Sequence, residues 1–298
     1  MTDLLGVMEA WTGTTTSIRA EDGTLTEIAL ADVVSGKPVP PRASPRHRVP
    51  AEQACRLANA SWPAVHAEPL GDWLLRASGG FSARANSVMA VGDPGVPFAD
   101  ALARVGAFYA GHGLPAWAQV VVGSGTAADV EATGWGTARP GEADSLFQLA
   151  SVAQATRAIR PLLPGTAPPV RVTPTVTEAW LAHDQRALAH REDAVAVLEG
   201  PAEVGFVTVG DGEAALARGR VACGDDRDWA GITDVWVDPD HRRRGLGLVV
   251  VAALLEWAAE RGAGTAYLQV RADNPPALAL YARLGFATHH AYRYLAAP

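Results

Sequence analysis

Ten residues, HRRRGLGLVV at 241–250, constrain the fold more than any other stretch, because three arginines run straight into Gly-Leu-Gly and an unbroken apolar segment. From there Leu246, Val249, Val250, Ala253, Leu254 and Trp257 recur at helical spacing, so the glycines stand where a buried helix begins. A helix N-terminus leaves backbone N–H groups unpaired and carries the positive end of the helix dipole. Glycine removes the side chain that would keep an anion away from those groups. The stretch predicts a seat for a phosphorylated ligand.

Composition limits what that ligand belongs to. The chain has 298 residues, of which 48% are hydrophobic and 19% charged, which describes a folded globular protein with room for about two domains. Lys and Arg total 25 against 32 Asp and Glu, a net charge of -7, and no basic stripe with interleaved aromatics appears. Nucleic acid is therefore excluded as a partner. The two cysteines, Cys55 and Cys223, stand far apart in no metal spacing, which predicts a reducing compartment, no structural disulfide and no metal. The opening MTDLLGVMEAWTGT lacks a basic leader, and no run reaches about 18 apolar residues. The expectation is a cytoplasmic protein without a membrane partner.

Two proline-rich passages, SGKPVPPRASPRHRVP (35–50) and RPLLPGTAPPV (160–170), punctuate the chain, since proline supplies no backbone donor to a helix or central strand. The piece before the first, residues 1–45, alternates around Glu21-Asp22-Gly23 and predicts a small β unit. The piece after the second reads as strand (WAGITDVWVDP, 229–239), phosphate seat, long helix closed by Gly262, strand (TAYLQV, 265–270), short helix between Asn274 and Gly285, and final strand.

Other phosphate loops fail letter by letter. A nucleoside-triphosphate loop requires Lys-Ser/Thr, which does not follow Gly247, and a dinucleotide fingerprint counted from Gly245 meets Val250 where Gly or Ala is needed. A second candidate, GSGTAA at 123–128, has the right letters and Asp144 at about the right distance. Its helix would stop at Gly134, and no apolar strand leads into Asp144.

The surviving pattern is Val237, Pro239, the loop Arg242-Arg243-Arg244-Gly245-Leu246-Gly247, Asn274 and LYARLGF (280–286). It resembles the GNAT superfamily of acyl-coenzyme A dependent N-acyltransferases, over roughly residues 170–298. The middle piece, 50–158, nearly repeats the spacing: WAQVVV…GWGTARPGEADSLFQL parallels AYLQV…GFATHHAYRYL, with Gln119 matching Gln269 and Gly134 matching Gly285. Its loop position reads VGDPGVPFADAL, without arginines or paired glycines, and predicts a degenerate lobe. The segment GDWLLRASGGFSARANSVMAV resembles the N-terminal lobe of three-part members that begin with an SH3-like barrel. The expected fold is thus α/β (α+β): tandem GNAT-like lobes with mixed central sheets, preceded by a small SH3-like β barrel.

The resemblance also implies roles. Acetyl-CoA would lie along a splayed strand at Val235, Trp236 and Val237, its pyrophosphate on Arg242 to Gly247, with Asn274 on the opposite side. Tyr281 takes the position of the family's tyrosine acid, and a phenol with a reference pKa near ~10 suits a departing thiolate of about 8.5. The base is open. Strict alternation puts Thr233, Val235 and Val237 on one face and Asp234 with Trp236 on the other, and Gly231 stands where some relatives carry glutamate. Asp234 is then the best available carboxylate, against a purely structural role or a water chain to a more distant acid. His183 and His190 lack metal spacing, His289 and His290 should alternate across the last strand, and Cys223 reads as a small buried residue. Two classes stay open: an N-acetyltransferase acting on an unidentified amine, of a small molecule or a peptide, in a ternary complex, or a non-catalytic acyl-coenzyme A sensor. The acidic balance suits a cationic amine or lysine-rich peptide, without defining a pocket. Oligomeric state is not encoded in any feature of the sequence.

Overall fold

The structure is a computed structural model, and it describes residues 4, 6–20, 23–36, 45–212, 214–224 and 227–298. It divides into two compact units, Met1–Ala43 and Ser44–Pro298.

The first unit holds three strands, β1 (Val7–Trp11), β2 (Thr15–Arg19) and β3 (Leu25–Ala29), paired antiparallel in that order. Thr12 makes the first reversal by bonding Thr15, and Thr16 is the buried centre of the sheet. Glu21 and Asp22, from the expected hairpin turn, lie outside the described residues, as does most of the first proline-rich passage. Among the described residues β1 and β3 share no ladder, so what is visible is a three-stranded sheet.

The second unit begins with α1 (Ala51–Ala60), β4 (His66–Leu70), β5 (Trp73–Ala77), β6 (Val88–Met89), α2 (Phe98–Gly111), β7 (Trp117–Val121), α3 (Gly125–Ala132), β8 (Gly136–Thr137), β9 (Ser145–Ser151) and α4 (Val152–Ile159). It continues with β10 (Val170–Thr173), α5 (Glu178–Leu181), α6 (Gln185–Ala189), α7 (Arg191–Glu199), β11 (Glu203–Val209), β12 (Ala217–Cys223), β13 (Trp229–Val237), α8 (Leu246–Glu260), β14 (Thr265–Arg271), α9 (Pro275–Arg283) and β15 (Ala287–Ala296). The helix and strand boundaries expected between 229 and 296 hold to within a few residues, because each is set by a local stop. Gly262 and Gly285 take φ of +82° and +83° behind α8 and α9, a conformation that costs glycine nothing.

One mixed sheet runs through the whole unit in the order β10-β11-β12-β13-β14-β9-β15-β7-β6-β5-β4, with β8 beside β15. Two parallel pairs, β13/β14 and β6/β7, each join strands separated by one helix, α8 and α2. The helices that follow β7 and β14 are capped in the same way: Ser124 accepts from Ala127 N, and Asn274 from Ala277 N. β9 pairs with β14 on one side and β15 on the other, and β15 in turn pairs with β7.

Leu246, Val250, Val251, Leu254 and Leu255 of α8 are buried between the sheet and α4, where each such side chain contributes about 1.5–3 kcal/mol. A second core gathers Trp62, Phe81 and Ala85 with Trp180, Leu181, Val197, Leu198 and Phe206, joining residues far apart in the chain.

Candidate active site

The candidate site is built around a strand that parts from its neighbour. β13 pairs with β14 only from Trp229 to Ile232, although β14 continues to Arg271 alongside β9. Past Ile232 the β14-facing edge of β13 therefore has no ladder partner, and Val235, Trp236 and Val237 lie along it. Where the strands part, β13 bulges. Trp236 pairs with Arg218 and Thr233 with Arg220, leaving two residues opposite Gly219, and Asp234 takes φ of +52°. A Cβ on Gly219 would stand 2.6 Å from Val250 Cγ1, so glycine is required there to let the bulge sit on α8.

The bulge corrects the expected alternation. Thr233 does not share a face with Val235 and Val237. Its hydroxyl faces Arg220 Nη1 at 3.4 Å, while Val235 and Val237 pack against the core that holds α8. Asp234 turns to Arg186, whose Nη2 donates to Oδ1 at 3.2 Å, and Trp236 stacks on His183 at 4.6 Å. Asp234 Oδ2 is buried with no hydrogen-bond partner.

Beyond β13 the loop places Arg242, Arg243 and Arg244 on the surface ahead of α8. Arg243 and Gly245 have φ of +65° and +79°, and Arg242 Nε donates to Val237 O. No side chain caps α8. Gly247 is informative because the fold does not demand it. A Cβ there would meet Val237 and Leu280 at ordinary contact distances of 3.7 and 4.0 Å, and glycine in a helix costs about 1 kcal/mol relative to alanine. An uncapped helix start that leaves this position bare fits an approaching phosphate.

Across the splay, Asn274 caps α9 through its side-chain oxygen, which leaves its amide nitrogen free. Tyr281 is buried on α9, edge-to-face with Phe286 at 5.7 Å. Burial pushes its phenol up to about 12, and the hydroxyl makes no hydrogen bond among the described residues.

The opposite face of β12 and β13 carries polar groups from α5 to α7. Asp184 bonds Arg218 at 2.9 Å and approaches Arg186 at 3.5 Å. Burial pulls its carboxyl up, but Ala187 N, Arg186 and Arg218 outweigh that and hold it below the usual carboxylate range. Arg218 stacks over Trp180 at 4.1 Å, and its Nε and Nη1 are buried without partners. His183 and His190 do not share a helix, since they lie in the turns between α5, α6 and α7.

Gly231 has a structural account. A Cβ there would overlap the Tyr267 hydroxyl, which donates to Ala58 O at 3.1 Å from a ring stacked on Phe147 at 5.1 Å. The space a glutamate side chain would use is taken by a buried tyrosine. Gly231→Ala is expected to destabilise the protein by about 1–3 kcal/mol through overpacking, read as a lower denaturation midpoint at unchanged m-value. An unchanged midpoint would show that Tyr267 yields freely.

His289 and His290 do not alternate either. The ladder slips between Thr288 and His290, and the two Nδ1 atoms lie 2.7 Å apart. His289 Nε2 donates to Val49 O at 2.7 Å, which makes its Nδ1 the acceptor for His290 Nδ1–H and turns His290 Nε2 toward Cys55 Sγ at 3.5 Å. Burial first and then His289 hold His290 down to about 4, so the His290 ring stays neutral as a link between β15 and α1. Cys223 is buried as expected. Among the described residues no group of three or more His, Cys, Asp or Glu side chains could hold a metal, and no helix is long and apolar enough to cross a membrane.

A strand that parts from its parallel neighbour stands beside an uncapped, glycine-led helix, all within one mixed sheet. The chain belongs to the family described as "Probable histone acetyltransferase Rv0428c C-terminal", whose profile matches residues 51–295. Over 256 residues it is 30% identical to the "Uncharacterized N-acetyltransferase YobR" of Bacillus subtilis (strain 168), covering 80% of this chain and 96% of that one. A shorter match, 40% over 91 residues, links it to the streptothricin acetyltransferase of Streptomyces lavendulae, covering 26% of this chain and 48% of that protein. Among solved structures, a GCN5-related N-acetyltransferase from Kribbella flavida superposes with a TM-score of 0.57 at 20% identity, covering 83% and 95% of the two chains. A tandem GNAT protein from the clavulanic acid biosynthesis pathway gives 0.55 at 15% identity, covering 71% and 74%. The protein is an N-acetyltransferase.

Sequence reasoning named the residues of the 235–247 stretch with Asn274 and Tyr281, and did not name the polar cluster on the opposite face of β12 and β13. Asp184, Arg186, Arg218 and Arg220 carry no motif, and their one visible signal is arginine recurring at 218 and 220 in an otherwise apolar strand.

Proposed function

We propose that the protein transfers an acetyl group from acetyl-CoA to an amine by direct attack within a ternary complex. The observation that carries this is the divergence of β13 from β14 after Ile232, at a strand whose Asp234 keeps one buried carboxylate oxygen without a hydrogen-bond partner among the described residues. The thioester supplies an activated carbonyl and a leaving thiolate. Backbone groups of Val235, Trp236 and Val237 hold the donor's arm, Asn274 faces it, and Arg242, Arg243, Arg244, Gly245, Leu246 and Gly247 receive the pyrophosphate through backbone amides and charge. The amine nitrogen forms its bond to the carbonyl carbon as the carbon–sulfur bond breaks. Asp234 Oδ2 takes the proton the amine loses, and Tyr281 gives its own to the departing sulfur.

The reading treats residues 170–298 as the catalytic lobe, 50–158 as a silent copy and 1–45 as a small SH3-like unit. The silent copy's loop supports this, for it carries Asp93 and puts Asp100 in the first turn of α2, where negative charge repels phosphate. The gap that an acyl-coenzyme A sensor would explain, the missing glutamate at Gly231, is accounted for by Tyr267 and lends that alternative nothing.

Calorimetric titration with coenzyme A is expected to give one site per chain, and acetyl-CoA with an amine panel is expected to release free thiol. Two equivalent sites would overturn the silent copy. Binding with no thiol release on any amine would return the sensor.

A further inference from the structure

The segment Ser78 to Ser87, SGGFSARANS, belongs to the silent copy yet forms part of the wall above β12 and β13, and its construction is unusually complete. Asn86 Oδ1 accepts from Ser78 N at 2.7 Å and Gly80 N at 3.0 Å, while Nδ2 donates to Ser82 O at 2.8 Å. Gly79 takes φ of +53° and leaves no room for a Cβ against Asp193 of α7. Phe81 and Ala85 are buried in the core shared with Trp180 and Leu198, and Trp62 Nε1 donates to Ser82 Oγ at 3.1 Å.

The residue this loop presents is Arg84. It is half-buried, its guanidinium stands 4.6 Å over the Trp62 ring, and it makes no hydrogen bond or ion pair among the described residues. Arg220 stands 5.0 Å over the same ring, fully buried, donating to Leu198 O, Ser61 O and Thr233 Oγ1. Behind the loop, buried Arg76 donates to Ser87 O, Ser87 Oγ, Asn59 Oδ1 and Gln119 Oε1. Three guanidiniums thus converge with no carboxylate bonded to any of them. Of the acids near this face, Asp184 is engaged by Arg218 and Arg186 and Asp234 by Arg186 through one oxygen, while Asp193 lies against Gly79 at the start of the loop. Burial pulls Arg220 down to about 10, with Arg84 adding to the effect and Asp234 opposing it. An anion brought to Arg84 would offset this crowding, and a guanidinium held flat on an indole offers its planar fork for bidentate contact with a carboxylate or phosphate.

We propose that Arg84 anchors an anionic group of the acceptor, a carboxylate or a phosphate, while Asp234 Oδ2 receives its amine. The acceptor class is then a small amine that also carries an anion, in place of a lysine-rich peptide. This rests on the acyltransferase reading, because Thr233 and Asp234 join the Arg220–Trp62 cluster to the point where β13 parts from β14.

The test uses the full chain saturated with coenzyme A and probes shaped like products. N-acetyl-L-amino acids are titrated beside their carboxamides, and N-acetyl-phosphoethanolamine beside N-acetylethanolamine, so that the two arms separate carboxylate from phosphate. At least one anionic probe is expected to bind roughly tenfold more tightly than its neutral partner. Arg84→Ala is expected to erase that preference and Arg84→Lys to keep part of it, with coenzyme A affinity and melting temperature unchanged. Equal binding of charged and neutral partners, a preference that survives Arg84→Ala, or no probe binding to a chain that holds coenzyme A would each overturn the assignment of Arg84. Failure to bind coenzyme A would instead strike the acyltransferase reading.

Discussion

Calorimetry of the Gly247→Glu protein is expected to show coenzyme A binding weakened by about 100-fold or more, because the new side chain brings both bulk and like charge to the pyrophosphate seat. The same change should leave the fold intact. A Cβ at 247 meets only ordinary contacts with Val237 and Leu280. Glutamate is a better helix former than glycine, and its charge is favourable in the first turn of α8. Loss of the ligand with an unchanged or higher melting temperature is therefore the signature of a binding residue. Equal affinity of variant and parent would remove the 242–247 loop from the donor site, and Gly247→Ala gives the graded control.

Tyr281→Phe is the second large effect. The substitution keeps the ring and its edge-to-face contact with Phe286 and deletes only the proton. If the phenol protonates the sulfur as the bond breaks, kcat should fall about 100-fold while KM for acetyl-CoA changes little. Burial supplies the pH test. Because the phenol is pushed up to about 12, it stays protonated and competent as pH rises, and its loss as an acid begins only on approach to that value. The parent should therefore show no alkaline decline in kcat attributable to Tyr281 between pH 7 and about 10, close to the ordinary tyrosine value. An unchanged kcat in the Phe variant, measured where chemistry limits the rate, would make Tyr281 a packing residue only.

How much of this was legible depends on how local each feature is. The 241–247 loop, the start of α8, the Asn274 cap and the glycines at 262 and 285 follow from rules that act within a few residues, and they appear where the spacing puts them. Asp234 was legible as a candidate but not as a conformation. Period-two alternation assumes an unbroken ladder, and one extra residue opposite Gly219 turns Thr233 and Asp234 toward the same group of arginines. His289 and His290 escaped for the same reason, through a slip opposite β9. Gly231 could be named as a missing glutamate, but its cause lies at Tyr267, on a different strand.

By itself the sequence determined the class of fold, the glycine-led start of α8 and the cap of α9, since a helix start, a cap and a glycine turn each carry their physics in contiguous letters. Only the tertiary structure decided that β9 pairs with β14 and β15 with β7, that SGGFSARANS packs with Trp180 and Phe206, and that Arg84 and Arg220 stand over one indole. The reason is that apolar alternation records which face of a strand is buried and leaves its partner unspecified. One sheet offers a strand such as β15 several similar edges, and the choice among them rests on packing summed over the whole sheet.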